Sequence, residues 1–334
     1  MAKARSLGTI ILAAVVLLIG SAGVARAQAI LKFAHAGSPA MSYSRGYDQF
    51  AAWVKERTNG RVVIEVYGAG RLALEVDAYR GVMQGNIEIA SISSSNIGAL
   101  TEALYLAGLP YVFKDLRHVV DVFNYSPIGE EIKARVGKEL NVQVLMFFPG
   151  QGFRTVATAR KAVRVPDDLK GLKMRATSSK VEIALLKAWG ARPTPVSFAE
   201  VYTALQQGTV DGEYLQHQWV YFPKHHEVIK YIAEPNASAD VQVVSMRREA
   251  WNKISPADQE VVRKSAIEAV ELAYKLDQEQ NENARAKLAE AGVKLYAPTG
   301  ADLEQWKKKA MTVWDEFKAQ VGPDMIKRVQ AFKR

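Results

Sequence analysis

Residues Val165 to Tyr214 read VPDDLKGLKMRATSSKVEIALLKAWGARPTPVSFAEVYTALQQGTVDGEY. Within this stretch LKMRA is a short strand-like run that carries one arginine, Arg175, to its end. A helix, a Pro-punctuated strand, a second helix and the Asp211-Gly212 turn follow in quick succession, the dense alternation of an α/β segment. Ser197-Phe-Ala-Glu200 has the spacing of a capping box for the second helix, and Gly208 stops it. An arginine delivered by a strand end into such a segment suits a carboxylate, because the guanidinium fork matches two oxygens. The alternative is a surface arginine held in an ordinary ion pair.

Upstream, the chain supplies more of the same rhythm. Ala29 to His35 reads as a strand, Ser44 to Thr58 as a helix, and Asn59-Gly60 as a turn into a strand over Arg61 to Tyr67. A helix over Glu75 to Gln84 leads to a third strand, Ile87 to Ile92. Strands alternating with helices imply parallel pairing, and ligands of such sheets sit beyond the carboxyl ends of the strands. His35 and the run from Ser93 to Asn96 fall at or just past two of those ends. Helices over Leu116 to Phe123 and Ile128 to Val136 and a strand over Val142 to Phe148 follow. The Pro149-Gly150-Gln151-Gly152 break after them is a candidate hinge.

Downstream, Ser255-Pro256-Ala-Asp258 caps a helical pattern that continues to about Ala291 and Gly292. A single helix of that length spans about 54 Å, beyond a lobe of about 30 Å. The alternative is two helices with a bend near Asp277. A strand over Val293 to Tyr296 and a helix over Ala301 to Ala319 complete the pattern.

Residues 1–27 have the layout of a secretory signal. Lys3 and Arg5 form a positive start, Ile10 to Ile19 an apolar stretch, and Ala25-Arg26-Ala27 a small-residue cleavage site. The apolar stretch is too short for the roughly 20 residues of a membrane-spanning helix. The sequence contains no cysteine, which excludes disulfides and thiol nucleophiles. After removal of Lys3, Arg5 and Arg26 the balance is 44 − 3 basic against 35 acidic residues, net +6 and interspersed. Such a mild positive field collects small anions, but there is no basic stripe of the kind nucleic acid requires.

Other constellations are weaker. Gly68-Ala-Gly70 follows a strand, yet the acidic partner of a dinucleotide site would be Glu88, inside a strand rather than at its end. Glu213 and His217 stand four apart, but no third ligand has metal-site spacing, so neither a metal nor a cofactor is expected. No G-x-S-x-G elbow, P-loop or H-E-x-x-H occurs, and no enzymatic activity is expected. Phe198, Tyr214, Trp219, Tyr221 and Phe222 cluster around the Asp211-Gly212 turn, and Tyr214 lies where a strand end reaches a cleft. Arg175 with an aromatic wall matches the composition of a ligand pocket.

Taken together, three motifs resemble the solute-binding proteins of tripartite ATP-independent periplasmic (TRAP) transporters, of the C4-dicarboxylate-binding type. They are Gly152-Phe153-Arg154, the run Pro166 to Arg175 (P-x-D-L-K-G-L-K-M-R), and the run Pro195 to Gly212 (P-V-S-F-A-E-V-Y-x-A-L-x-x-G-x-V-D-G). Phe33-Ala34-His35, the Leu109 to Phe113 element and Ala250-Trp251 add to it, and the likeness covers the whole chain after the signal. The resemblance implies a two-lobed, type II-like α/β binding protein of the periplasm with a long helix spanning both lobes. The lobes are expected at residues 28–150 plus about 240–278, and at 151–239 plus about 279–334. It implies an organic-acid ligand, membrane permease subunits as partners, no nucleic acid, and a monomer or dimer. Arg175 is expected to make the main salt bridge to the ligand, with Arg154, Phe198, Tyr214, Glu213, Ser93 and His35 around it. Where relatives often carry Gln-Glu-Asn after the Asp-Gly turn, this chain has Glu213-Tyr214-Leu215. Leu215 cannot donate the hydrogen bond of that Asn, which points toward a more apolar or aromatic carboxylate. A sensory module for a membrane receptor and an exported hydrolase or lyase are the competing classes.

Overall fold

In chain order, β1 (Ala29–Ala34), β2 (Val62–Tyr67), β3 (Ile89–Ser93), β4 (Val142–Phe153), β5 (Thr155–Thr158), β6 (Lys173–Ala176), β7 (Arg192–Pro195), β8 (Gly212–Leu215), β9 (Tyr231–Ala233), β10 (Ala239–Arg247) and β11 (Lys294–Tyr296) form two sheets. The computed structural model describes residues 28–334, so the signal expected over 1–27 lies outside the described residues. The first sheet has the order β2-β1-β3-β10-β4 and the second β11-β9-β5-β8-β6-β7. As the strand–helix rhythm predicts, β1 runs parallel to β2 and to β3. β6 likewise lies parallel to both β7 and β8. Antiparallel pairing enters only with β10 in the first sheet and β5 in the second.

Apolar spacing decides what covers the sheets. In the helix Ser42–Arg57, Tyr43, Tyr47, Phe50 and Val54 recur on one face and are all buried. Burying each such side chain stabilises the fold by roughly 1.5–3 kcal/mol. The turn at Asn59-Gly60 follows, and Thr58 Oγ1 donates to Val54 O at 2.7 Å as the helix ends. Under the second sheet, Trp189 meets Trp306 edge-on at 4.8 Å. Both indoles are fully buried, and both N–H groups are satisfied, Trp189 Nε1 by Trp306 O and Trp306 Nε1 by Arg164 O.

The long pattern expected from Ser255 to about Ala291 is one helix, Pro256–Glu290, of 35 residues. It is about 52 Å long and passes Asp277 without a break. Its buried small residues Ala266, Ala269 and Ala273 let it lie close to the helix Ser42–Arg57, where a Cβ on Gly46 would stand 3.3 Å from that of Ala273. It is tied to the first sheet by Arg61–Asp258 at 2.7 Å and to the second by Arg285–Glu234 at 2.7 Å.

Several expectations are corrected. Pro149 to Gly152 is not a break: β4 continues through it to Phe153, paired with β10 across a bulge opposite Asp240. Gly150 is required there, since a Cβ would stand 2.0 Å from Asp240 O, and Gly152 adopts φ +103°. The chain passes between the sheets at Arg154 instead. The single helix expected over Ala301 to Ala319 is two, Gly300–Ala310 and Thr312–Val321. A third, Pro323–Ala331, starts after Gly322 at φ +89° with Pro at its first turn and buries Ile326 and Val329. Strands β5, β9 and β10 were not anticipated.

Midway along the long helix, Asp277 is buried and accepts from Ser42 Oγ, and its Oδ2 accepts from Gln151 N–H at 3.3 Å. Burial pushes its carboxyl up to about 7 from the ordinary 3.8. A raised folded-state value means that this group's contribution to stability is full below pH 3.8 and is lost as pH rises through 7. The melting midpoint of the native chain is therefore expected to fall between pH 5 and pH 8 by more than that of Asp277→Asn. Thermal denaturation monitored by circular dichroism checks this; parallel slopes for the two proteins would refute it.

Candidate functional site

The parallel strands of both sheets point their carboxyl ends at one place. Just past β1 lie Ala36 and Ser38, past β2 Ala69 and Gly70, past β3 Asn96, past β6 Thr177 and Ser178, and past β7 Val196 to Phe198. Together they line a cavity of about 500 Å³ between the two sheets. A recess of about 30 Å³ adjoins it and is shared by Glu75, Asn96, Arg175, Thr177, Phe198 and Trp219.

Arg175 sits on β6, with Thr194 of β7 and Glu213 of β8 beside it in register. Only 2% of it is exposed, yet it borders the cavity. Its Nε donates to Val196 O at 3.0 Å, while its buried Nη1 has no hydrogen-bond partner. No acidic side chain forms a salt bridge with it among the described residues. Burial lowers its affinity for its proton; Glu182 opposes this, Arg154 adds to it, and Glu213 and Glu75 oppose it more weakly. A buried cation without a counter-charge is costly unless something anionic completes it.

Arg154 stands in the opposite condition. Its Nε donates to Asp240 Oδ2 at 2.9 Å, its Nη1 to Tyr214 O at 2.6 Å, and its Nη2 to Ser95 Oγ at 2.8 Å. Glu182 Oε2 lies 3.3 Å from Nη1. Burial alone would lower its pKa, but Asp240 and Glu182 raise it overall. Asp240 in turn also accepts from Ser94 and Ser95 hydroxyls at 2.6 and 2.7 Å. Arg154 borders the recess as the centre of a satisfied cluster rather than as a free cation.

The other expected residues divide. Phe198 lines the cavity, edge-on to Trp219 at 4.6 Å and 84°. Ser93 borders the recess, its N–H donating to Glu75 Oε1 at 2.5 Å and its Oγ accepting from Asn96 N–H. His35 does not reach either space: it is buried against the rings of Tyr43 and Tyr47 at 5.5 and 5.2 Å, and burial lowers its pKa to about 4. Its neighbour Ala36 lines the cavity instead. Tyr214 points away, its ring against Trp189 and its hydroxyl 2.9 Å from Ser238 Oγ. Pairing of Tyr214 with Val156 turns it to the core face of the sheet. Glu213 shares the face of Arg175 but is taken by His225, whose Nδ1 lies 3.0 Å from both carboxylate oxygens. His217 pairs with Glu234 at 2.8 Å, so Glu213 and His217 do not converge.

Residues 33–320 match bacterial extracellular solute-binding protein family 7. The chain belongs to that family. It is 30% identical over 308 residues to the 2,3-diketo-L-gulonate-binding periplasmic protein of Escherichia coli, covering 90% of each chain. It is 29% identical to the C4-dicarboxylate-binding periplasmic protein of Rhodobacter capsulatus over 98% of each chain. The crystal structure of a TRAP periplasmic solute-binding protein from Sulfurospirillum deleyianum with bound succinate superposes with a TM-score of 0.85 at 31% identity, over 92% of this chain and all of that one. This solute-binding protein is thus a two-lobed receptor of the TRAP type, and not an enzyme.

The family assignment gives the unpaired Arg175 a context but does not replace the geometry that marks it. Glu75 and Trp219 are wall residues that the sequence did not single out. Glu75 opens the helix Glu75–Gln84 after the Gly68-Ala-Gly70 loop, and its Oε2 accepts from Asn96 Nδ2 at 2.5 Å. Burial raises its pKa. The rule that sites lie past parallel strand ends applies to β2 as well as to β1 and β3, and would have found it. Trp219 was visible only as one of several aromatics; its Nε1 donates to Gln151 Oε1 at 2.9 Å, which fixes the indole against the cavity.

Proposed function

We propose that the chain captures an organic acid between its lobes, with Arg175 as the carboxylate receptor, and delivers it to the membrane permease of a TRAP transporter. The observation that carries this reading is the buried guanidinium of Arg175, which lacks both an acidic partner and a hydrogen bond at Nη1. A carboxylate completes it through two charge-assisted hydrogen bonds, roughly 1.5–3 kcal/mol each and so a large part of the ~8 kcal/mol of a micromolar complex. Phe198 and the Ser93–Asn96 turn stand on the walls around it. Arg154 borders the recess with its charge already matched, holding Asp240 and Glu182.

We take the lobes as residues 28–150 plus about 240–278, and 151–239 plus about 279–334. Closure follows from population shift: a ligand that touches β6 and β7 on one side and the ends of β1 and β3 on the other favours the closed arrangement. The protein is placed in the periplasm after export through residues 1–27, working as a monomer or dimer. Native mass spectrometry of protein purified without refolding is expected to show a bound small acid. Release of a neutral or cationic molecule as the only co-purified species would overturn the carboxylate reading.

A further inference from the structure

We infer that the ligand is a monocarboxylate whose remaining body is apolar, an aromatic ring or a branched hydrocarbon, rather than a dicarboxylate or a polyhydroxy acid. This inference rests on the carboxylate reading of Arg175 and specifies what lies beyond the carboxylate.

Charge supplies the first argument. Among the described residues, the cationic side chains lining the cavity and its recess are Arg175 and Arg154. Arg154 is already matched by Asp240 and Glu182. Glu75, Asp77 and Asp240 border the same space. One ligand carboxylate therefore finds one unpaired cation, and a second finds carboxylates and no free partner, a buried anion that nothing compensates.

The polar lining supplies the second. Ser197 Oγ donates to Glu200 Oε2 at 2.8 Å, Thr177 Oγ1 to Glu182 Oε2 at 2.7 Å, and Asn96 Nδ2 to Glu75 Oε2 at 2.5 Å. These donors are engaged by protein acceptors, so the hydroxyl oxygens of a polyhydroxy ligand find few side-chain donors to accept from.

Shape supplies the third. Away from Arg175 the wall is predominantly apolar, with Met41, Leu74, Val196 and Pro223 around the right-angled corner made by Phe198 and Trp219. Such a corner offers a ring one face and one edge contact at once. A four-carbon diacid fills only a fraction of about 500 Å³.

Titration calorimetry on the full mature protein, freed of bound ligand, tests this with phenylacetate, 3-phenylpropionate, 4-methylpentanoate, succinate, D-glucuronate and the neutral phenylacetamide. At least one of the three apolar monocarboxylates is expected to bind 10-fold or more tightly than succinate and D-glucuronate, and phenylacetamide at least 100-fold more weakly than phenylacetate. Tighter binding of succinate or D-glucuronate, lost in Arg175→Ala, overturns the inference and leaves the carboxylate reading standing. Equal binding of phenylacetamide and phenylacetate overturns the carboxylate reading itself. No measurable binding of any of the three apolar acids also overturns the inference.

Discussion

Arg175→Ala is expected to weaken binding of the native acid by about 100-fold or more, close to 2.7 kcal/mol, while leaving the unliganded protein as stable as before or more so. The two halves of this expectation have one cause. The guanidinium is buried against Val196 O with Nη1 unpaired, so in the empty protein it contributes desolvation cost without a compensating salt bridge. Its worth appears only when a carboxylate arrives. Arg175→Lys is expected to recover little, because an ammonium on a flexible stem cannot present the planar fork. Calorimetry with the acid identified by mass spectrometry reads the affinity, and thermal denaturation of ligand-free protein reads the stability. An alanine variant that binds normally, or one that loses its fold along with its ligand, would remove Arg175 from the role assigned to it.

Arg154→Ala is expected to do the reverse. The change leaves Asp240 and Glu182 buried without their shared cation and frees the Tyr214 and Ser95 oxygens it satisfies. Breaking a buried ion pair from one side costs about 3–5 kcal/mol. In a chain of this size the melting midpoint is expected to drop by roughly 10 °C. Asp240→Asn combined with Arg154→Ala is expected to restore part of that loss, since one of the stranded charges is then gone. Differential scanning calorimetry of the single and double variants separates the cases. A single variant as stable as the native chain would mean that water or another cation replaces Arg154 at this point.

How much of this could be read from the sequence depends on how each residue is held. The first three strands and the long helix were legible because their signals are local: alternation in Val62 to Tyr67, the Asn59-Gly60 turn, and the Ser255-Pro256 cap. β10 was missed although Ala239-Asp-Val-Gln-Val243 alternates and Pro235-Asn236 turns the chain before it; all but its last residue are buried, on both faces, which only its partners β3 and β4 reveal. Position in the site behaves likewise. Arg175 and Phe198 could be placed from strand ends and a helix start, both features of nearby sequence. Which way Tyr214 faces depends on its partner Val156 and on Trp189, neither of which lies near it in sequence. Nothing local in Glu213 announces His225 as its partner. Of the residues expected around an aromatic wall, Tyr214 has no part in the cavity, whereas Leu215 borders the recess and Trp219 forms the wall.

The chain crosses between the sheets three times, at Arg154, between Ala233 and Ala239, and along Pro256–Glu290. Neither half is therefore a continuous length of polypeptide. A single nick in one crossing leaves two covalent tethers intact, and a cut between Ala233 and Ala239 leaves each half with strands from both sides of it. The first two crossings run side by side, joined by the hydrogen bond from Arg154 N–H to Ser238 O, while the third is a rigid rod bolted at Arg61–Asp258 and Arg285–Glu234. Two of the three links between the halves thus form one paired seam, and the third joins them as a single helix anchored at both ends.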